Sequence, residues 1–438
     1  MNGQNATVYR AAILHFLSDP TVDGDKAYKY FKDGALLVDQ GKIISIGNAS
    51  DLMPTLGDDV AIVEYPDHLI IPGMIDTHIH YPQVEIIASY GNQLLDWLEN
   101  HTYPAEREFE DPSHAAQMAT FFLDELLKSG TTSALVFGTV HKTSVEAFFQ
   151  ESQKRNTRMI CGKVMMDRNA PDFLVDTPHA SYADSKALID QWHNNGRQHY
   201  AVTPRFAVSS SEEQLKLAGK LCEEYGDVYM QTHISENKAE VALVQKLFPN
   251  SKDYLDVYDQ FGLLGKRSVF AHGIYLKPRE LEALSKTQSS VSFCPTSNLF
   301  LGSGLLDIQA LEDAGVQYSL ATDVGSGTSF SMLQTLNEAY KVCHLNNYSL
   351  CPLKSIYMAT LGNAKALALE DKIGSFNRGS EADFVVLDFN CTPLMSLRQS
   401  KSKSLSDQLF AMIILGDDRA VKATYVAGKL AHEREKQH

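Results

Sequence analysis

The feature of this 438-residue sequence that most restricts its fold is a regular alternation of short apolar segments with amphipathic ones. Eight short segments have the apolar, β-rich composition of buried strands. They are residues 74–79, 133–137, 159–166, 201–206, 228–232, 268–271, 290–293 and 318–321. Eight strands with intervening helices are typical of a (β/α)8 TIM-type barrel, although a doubly wound open sheet is the alternative interpretation.

Two of the amphipathic segments carry signals for helix ends. HAAQMATFFLDELLKSG, residues 114–130, ends at Gly130, and SSEEQLKLAGKLCEEYG, residues 210–226, ends at Gly226. The second segment also opens with a Ser/Glu capping pattern. Both segments are therefore predicted to be helices.

The two ends of the chain have a different, β-rich character. Residues 34–47, GALLVDQGKIISIG, predict two strands around a Gln-Gly-Lys turn. Residues 382–389 and 421–433 have a similar β-rich composition. We expect a small β-sandwich built from both termini, with parts at residues 1–70 and 376–438. The barrel would then occupy residues 71–375, and the chain would cross between the two near Ile70.

Composition excludes several classes of partner. A formal net charge of −15 argues against a nucleic acid, which needs a basic surface. The 6 cysteines occur singly, without a C-x-x-C pair, so neither a disulfide scaffold nor a zinc ribbon is indicated. No apolar run approaches the ~20 residues of a membrane span, and the first residues lack a basic leader. We expect a cytoplasmic protein that does not bind membranes.

Potential metal ligands stand where the predicted strands end. His78 and His80 end the first strand in IIPGMIDTHIHYPQ, and residues two apart in a strand point the same way. One such histidine is usually structural. Further side chains of this kind follow other strands: His233 and Glu236 in QTHISEN, His272 in FAHG, and Asp323 in LATDVGSG. Because barrel enzymes build their sites at the carboxyl ends of strands, the joint pattern predicts a metal site.

The predicted site suits hydrolysis. Three imidazoles and a carboxylate around a divalent ion leave room for a water, whose pKa falls towards about 7. A neighbouring carboxylate can take the proton. Neither a P-loop nor a dinucleotide-binding glycine pattern is present, so no nucleotide cofactor is expected.

At this point five motifs resemble the amidohydrolase superfamily: PGMIDTHIH, THISE, FAHG, TDVGSG and GSEADFVVLD. The resemblance covers nearly the whole chain. Longer stretches, among them LLDWLENHTYPAE, GKVMMDRNAPD, TPRFAVSSSEEQ and FCPTSNLFLGSGL, are similar to the guanine-deaminating branch of that family. The resemblance implies a (β/α)8 barrel with a terminal β-sandwich, one Zn²⁺ per subunit, a homodimer, and hydrolysis of guanine to xanthine and ammonia.

The resemblance also implies a role for each site residue. The zinc ligands would be His78, His80, His233 and Asp323. Glu236 would shuttle a proton, Asp323 would relay one to the leaving amine, and His272 would hydrogen-bond the water or the intermediate. The residues holding guanine would be Gln83, Arg205 and Phe206, beside His80, His233, Glu236 and Asp323.

The guanine-binding assignment has chemical support and alternatives. A guanidinium suits a carbonyl oxygen, an aromatic face suits a base, and an amide offers both a donor and an acceptor. Equally, Arg205 could pair with a carboxylate, Phe206 could be core and Gln83 could be a loop residue. Lys163 is expected to be structural and not a bridge between two metals, because it lies in the third predicted strand.

Several alternatives stay open at the level of sequence. Other ring substrates of the superfamily are 8-oxoguanine, a pterin, cytosine or a triazine, and iron or manganese could replace zinc. A metal-free relative that serves as a scaffold is disfavoured because every ligand is present. A nucleic-acid deaminase is disfavoured because its H-x-E and P-C-x-x-C signature is missing. Residues 96–110, DWLENHTYPAEREFE, could cover the pocket or form an interface.

Overall fold

The structure is a computed structural model that describes residues 6–91 and 93–435. Its strands, in chain order, are β1 (Thr7–Phe16), β2 (Tyr28–Asp39), β3 (Lys42–Asn48), β4 (Ala61–Pro72), β5 (Met74–His80), β6 (Thr131–Phe137), β7 (Arg158–Gly162), β8 (Val164–Met165), β9 (His199–Pro204), β10 (Tyr229–Ile234), β11 (Ser268–His272), β12 (Ser290–Phe293), β13 (Gln317–Leu320), β14 (Phe384–Asp388), β15 (Val421–Val426) and β16 (Lys429–Glu433).

The longer α-helices are Pro112–Lys128, Lys142–Arg155, Pro178–Trp192, Glu212–Tyr225, Lys238–Leu247, Pro278–Thr287, Met332–Leu345 and Leu405–Leu415. Shorter ones are Pro20–Asp23, Ala49–Leu52, Leu94–Trp97, Tyr103–Arg107, Tyr254–Asp259, Pro295–Phe300, Ile308–Asp313, Pro352–Tyr357, Asn363–Ala366 and Pro393–Gln399. Among the described residues, no helix combines the length and the apolar character that crossing a bilayer requires.

The central sheet is a parallel barrel. Its strands pair in the order β5-β6-β7-β9-β10-β11-β12-β13, and the short β8 adds to β9. All eight strands predicted from the sequence lie in this sheet, which confirms the predicted fold class. The ends of the sheet meet, because the backbone N–H of Asp323 donates to His78 O at 3.0 Å and that of His80 donates to Val324 O at 2.7 Å. The alternative of an open, doubly wound sheet is therefore wrong.

A side chain closes the same seam lower in the barrel. The Asn363 amide donates to Ile75 O at 2.6 Å and to Leu320 O at 2.8 Å, and its oxygen accepts from Leu320 N at 2.8 Å. The asparagine thus bridges backbone groups of β5 and β13 and helps to satisfy their hydrogen bonds. The seam is held at two levels, by backbone bonds and by this side chain.

Apolar side chains fill the barrel near the strand starts. Ile75, Leu135 and Ile160 belong to one buried cluster with residues of the segment that follows Asn363. Strands buried on both faces read as continuous apolar runs, which is why the eight segments could be recognised. The packed lower half leaves the carboxyl ends of the strands as the place for a site.

The two predicted helices are present with small differences. Ser211 caps the helix Glu212–Tyr225 and accepts from Gln214 N, and Gly226 follows it with a φ of 71°. The other helix begins at Pro112, two residues before the predicted segment, because the Asp111 side chain accepts from Ser113 N and serves as the N-cap.

Strands from both termini form the second sheet, in the order β16-β15-β14-β4-β1-β2-β3. The predicted turn between β2 and β3 falls at Gln40 and Gly41, which both have a positive φ. The sheet folds over on itself, since Ile43 N donates to Ser380 O at 2.9 Å and Ala382 N donates to Gly41 O at 2.9 Å. Its strands lie within residues 7–72 and 384–433, and the exact domain boundaries stay a prediction.

An ion-pair cluster joins this terminal sheet to the start of the barrel strands. Arg158 Nε donates to Glu381 Oε2 at 2.8 Å and Arg197 Nε donates to the same oxygen at 3.0 Å. Arg197 also pairs with Asp383. Burial by itself would raise the pKa of Glu381, but hydrogen bonds from Arg158 and the charge of Arg197 lower that pKa to about 2.

We predict that Glu381→Gln lowers the free energy of unfolding at neutral pH by about 3 kcal/mol, because two buried guanidinium groups lose a charged acceptor. A carboxylate whose pKa is depressed on folding stabilises the fold above its unfolded pKa. That contribution is lost as the pH falls from about 4.5 to about 2. The variant should therefore lose less stability than the wild type across this window, as urea unfolding at several pH values will show.

Glu282→Gln is the matched control for this experiment. Glu282 pairs with Lys286, but both side chains are largely exposed, so its removal should change stability much less than Glu381→Gln does. Equal effects of the two substitutions would contradict the structural role of the buried cluster.

Candidate active site

The predicted metal ligands meet at the carboxyl ends of the barrel strands. His78 Nε2 lies 3.3 Å from His80 Nε2, which lies 3.2 Å from His233 Nε2. Asp323 Oδ1 lies 3.2 Å from His78 Nε2 and 3.4 Å from His80 Nε2. The structure therefore brings together all four residues that the sequence nominated.

The protonation of the imidazoles fits a cation between them. His233 Nδ1 is 2.7 Å from the Arg205 carbonyl oxygen, so Nδ1 carries the hydrogen and Nε2 keeps its lone pair. Burial, together with the neighbouring His78, lowers the pKa values of His80 and His233 well below the usual range. Neutral imidazole nitrogens that converge beside a carboxylate are a donor set for a divalent metal ion. The residues present therefore fit the metal that the sequence predicts.

Asp323 supplies the negative charge. Burial would raise its pKa, but the His78 charge and hydrogen bond outweigh burial and lower it far below the usual range. Its other oxygen, Oδ2, accepts from Ser326 Oγ at 3.0 Å. Asp323 and His272 have φ values of 53° and 74°, a backbone conformation that non-glycine residues rarely adopt.

Glu236 and His272 stand beside the ligand group. His272 Nε2 lies 3.4 Å from Glu236 Oε2 and 3.8 Å from Asp323 Oδ2. Burial raises the pKa of Glu236 to about 7. Burial lowers the pKa of His272, but the charges of Glu236 and Asp323 outweigh burial and raise it. A carboxyl group with a pKa near neutrality can both take and give a proton.

Three polar residues at this site were not found from the sequence. Asn298 Oδ1 lies 2.9 Å from His272 Nδ1, and Ser303 Oγ donates to Glu236 Oε1 at 3.0 Å. The Cys294 thiol lies with His78, His272 and Asp323 in a second group whose potential ligand atoms are all within 4.8 Å of one another. Cys294 directly follows β12, so its position at a strand end was a usable signal.

A cavity with about 390 Å³ of empty space opens next to the ligand group. Its lining includes all three residues predicted to hold the substrate. The lining residues are His80, Gln83, Leu94, Trp97, Leu98, Arg205, Phe206, His233, Glu236, His272, Asp323 and Ser326. Apolar walls with a few convergent polar groups are typical of a small-molecule site.

Arg205 pairs with a carboxylate, as one of the two interpretations predicted, and its role in holding a base stays a prediction. It lines the cavity, and its Nη1 donates to Glu106 Oε1 at 2.9 Å and to Oε2 at 2.8 Å. The Gln83 amide donates to the same carboxylate at 3.3 Å and accepts from Gly325 N at 3.3 Å. Glu106 is a further residue that sequence reasoning missed, since nothing local marks it as different from its acidic neighbours.

The segment after β5 covers the cavity. Leu94, Trp97 and Leu98 contribute to its wall, and Trp97 is held by a hydrogen bond from Nε1 to Ser89 O at 3.1 Å. Residues 96–110 thus contribute Trp97 and Leu98 to the cavity wall, and their role in an interface stays a prediction.

Lys163 lies away from the ligand group. It is buried between β7 and β8, where its ammonium pairs with Asp176 and lies 3.3 Å from Ser181 Oγ. This is the structural role expected from its place in the third strand.

A parallel (β/α)8 barrel with a His/Asp donor set and a raised-pKa glutamate at its strand ends defines a metal-dependent hydrolase. Residues 69–431 match the amidohydrolase family, and the chain belongs to that family. Guanine deaminase of Escherichia coli (strain K12) is 52% identical over 408 residues, which cover 93% of this chain and 93% of that protein.

Solved structures agree with this relationship. The E. coli guanine deaminase structure has a TM-score of 0.94 and 48% identity, covering 98% of this chain and 99% of its own. The guanine deaminase from C. acetobutylicum, with bound guanine in the active site, has a TM-score of 0.87 and 28% identity over 97% of this chain and 100% of its own.

We predict that His233→Ala reduces the metal content of the purified, dialysed protein to less than about a tenth of the wild-type value, because one of few ligands is lost. His272→Asn should retain the metal, since His272 faces Glu236 and Asn298. Metal analysis by mass spectrometry measures both. Loss of the metal from His272→Asn alone would assign that histidine to the ligand set instead.

Proposed function

We propose that this protein hydrolyses guanine to xanthine and ammonia, with one Zn²⁺ per subunit. The observation that carries the proposal is the cavity that joins the His/Asp donor set to Gln83, Arg205 and Phe206. Guanine deaminases among the relatives, one of them solved with guanine in its active site, support the choice of substrate.

In this proposal four residues hold the metal: His78, His80, His233 and Asp323. When bound, the ion supplies a water molecule that loses its proton near neutral pH and orients it for attack. Imidazole and carboxylate ligands also accept iron or manganese, so metal analysis of the native protein decides between these and zinc.

Glu236 is proposed as the group that moves the proton. Its pKa of about 7 lets it accept a proton from water and pass it to a ring nitrogen beside the amino-bearing carbon. Ser303 Oγ donates to Glu236 Oε1 at 3.0 Å, and the other oxygen, Oε2, faces His272. The side chain is thus held in one orientation while its protonation changes.

His272 and Asp323 complete the proposed proton path. The raised pKa of His272 favours the doubly protonated ring, with one N–H donating to Asn298 and the other facing Glu236 and Asp323. Such a donor would hydrogen-bond the attacking oxygen and orient it, while the proton from Glu236 neutralises the charge that develops on the ring nitrogen. Asp323, ionised at rest, is placed to relay the proton with which the amine leaves as ammonia.

Three side chains are proposed to fix the base. The Arg205 guanidinium donates to the exocyclic carbonyl, the Gln83 amide contacts the ring edge, and the Phe206 ring offers a stacking face. All three line the cavity. Holding the ring against the nucleophile makes the attack effectively unimolecular, which is a large part of the expected rate enhancement.

The resemblance further supports a proposed homodimer, a cytoplasmic location and a role in purine catabolism. Light scattering on the purified protein measures its mass and tests the dimer directly. A mass of one chain at micromolar concentration would refute it.

Purified protein should convert guanine to xanthine, and a chelator should abolish the conversion. The loss of guanine ultraviolet absorbance measures turnover, and added zinc should restore it because the metal supplies the nucleophile. No turnover by a protein that holds about one metal ion per chain would refute guanine as the substrate. Cytosine, a pterin and an aminated triazine would then be compared in the same assay.

Glu236→Gln should lower kcat at least about a thousandfold, because the amide cannot take or give the proton. The metal content should remain at the wild-type level, since Glu236 is not proposed as a ligand. Glu213→Gln, on the exposed start of a helix, is the control and should keep full activity. A Glu236→Gln variant with near wild-type kcat would show that another group moves the proton.

A further inference from the structure

Glu106 is a buried carboxylate that contacts two residues of the pocket wall, Gln83 and Arg205, and that the proposed reaction does not use. It is fully buried, and both of its oxygens accept hydrogen bonds from a single nitrogen, Arg205 Nη1. The same carboxylate accepts from the Gln83 amide at 3.3 Å. One carboxylate thus holds together the two polar side chains proposed to read the edge of the base.

The Glu106–Arg205 pair also sets the charge of this wall. Arg205 is buried as well, with 2% of its surface exposed, and its guanidinium lies 5.7 Å from the centre of the Tyr103 ring. An arginine in such surroundings is costly unless a counter-charge neutralises it. With Glu106 in place, the wall that faces the base carries no net charge. The remaining charged groups of the cavity, Glu236 and Asp323 among them, lie on the side of the metal ligands.

We propose that Glu106 determines the charge specificity of the pocket by neutralising Arg205, so that the site selects an uncharged purine over an anionic one. This rests on the proposed function. Glu106 acts through Arg205 and Gln83, and so is a positioning residue. Without its charge, Arg205 would become an uncompensated buried cation that attracts anionic ligands and orients neutral ones less well.

The selectivity would have a use in the proposed reaction. Deamination replaces an amino group with a carbonyl, and the N–H groups of the product are flanked by more carbonyls than those of guanine. They are therefore more acidic, and the product forms an anion more readily than the substrate does. A neutral wall would bind this anion less tightly than a cationic one and so favour its release.

Glu106→Gln tests the proposal because it removes the charge and keeps the shape. The probes are hypoxanthine, which is neutral at pH 7.5, and urate, which is an anion at that pH. Their dissociation constants are measured by calorimetry on the metal-loaded wild type, on Glu106→Gln and on Glu108→Gln. Glu108 is an exposed neighbour in the next turn of the same segment and serves as the control.

In Glu106→Gln we expect hypoxanthine to bind about 10- to 100-fold more weakly, as for a lost charge-assisted contact. Urate should bind to this variant at least as tightly as it binds to the wild type. The ratio of the hypoxanthine and urate dissociation constants should therefore shift at least tenfold. The KM for guanine should rise in parallel while kcat stays within about threefold, since the proton-transfer groups are untouched. Glu108→Gln should leave the ratio unchanged.

A second pair of variants separates charge from structure. Glu106→Asp keeps the charge and should keep the wild-type ratio, and the double variant Glu106→Gln/Arg205→Gln, which removes both charges, should return the ratio to within about threefold of the wild type. A ratio in a folded Glu106→Gln variant equal to that of the wild type overturns the proposal. So does a shift in Glu106→Asp as large as that in Glu106→Gln, because shape would then be the cause.

The outcomes also distinguish this inference from the proposed function. A wild type that turns over guanine, with no change of ratio in Glu106→Gln, overturns only the charge specificity. If the wild type binds hypoxanthine but leaves guanine intact, and Glu106→Gln still shifts the ratio, only the proposed reaction is overturned. A wild type that binds neither purine overturns both.

Discussion

The seam at which the barrel closes determines where the chemistry of this protein can occur. The hydrogen bonds from Asp323 N to His78 O and from His80 N to Val324 O join the end of β5 to the residues that follow β13. They bring together ligands that lie more than two hundred residues apart in the sequence. Because these are backbone bonds between buried strand ends, the positions of the imidazoles and the carboxylate depend on closure of the barrel and not on a flexible loop.

Burial then gives these side chains their properties. Removing imidazoles from water disfavours their charged forms, so His80 and His233 stay neutral and keep lone pairs for a metal. The same burial raises the pKa of Glu236 to about 7, whereas Asp323, in contact with His78, stays ionised. Two carboxyl groups in one cavity therefore differ in pKa because Asp323 is in contact with His78 and His80 and accepts a hydrogen bond from Ser326, whereas burial dominates at Glu236.

Much of this arrangement could be predicted because it follows periodic patterns. Buried parallel strands read as apolar runs, and their ends are fixed in register by the barrel, so His78, His233 and Asp323 were found by position alone. Glu106 could not be found in this way. It lies in the short helix Tyr103–Arg107, among other acidic residues, and contacts Arg205 across 99 residues of sequence, a contact that no local pattern encodes. Asn298 and Ser303 were missed for the same reason, since their hydrogen-bond partners, His272 and Glu236, belong to distant segments of the chain.

The parts of the site that were predicted and those that were missed differ in their physical role. The strand ends hold the proposed metal ligands and proton-transfer groups through the backbone of the barrel, so we expect their geometry to resist changes in the loops. The covering segment contributes Leu94 and Trp97 to the cavity wall, and its Glu106 accepts hydrogen bonds from Arg205. In the proposed reaction the proton-transfer groups thus depend on closure of the barrel, whereas the wall of the cavity is shared. Arg205 and Phe206 directly follow a barrel strand, and Leu94 and Trp97 come from the covering segment. We therefore expect substitutions in the covering segment to change the fit of a ring more than they change the ligand group.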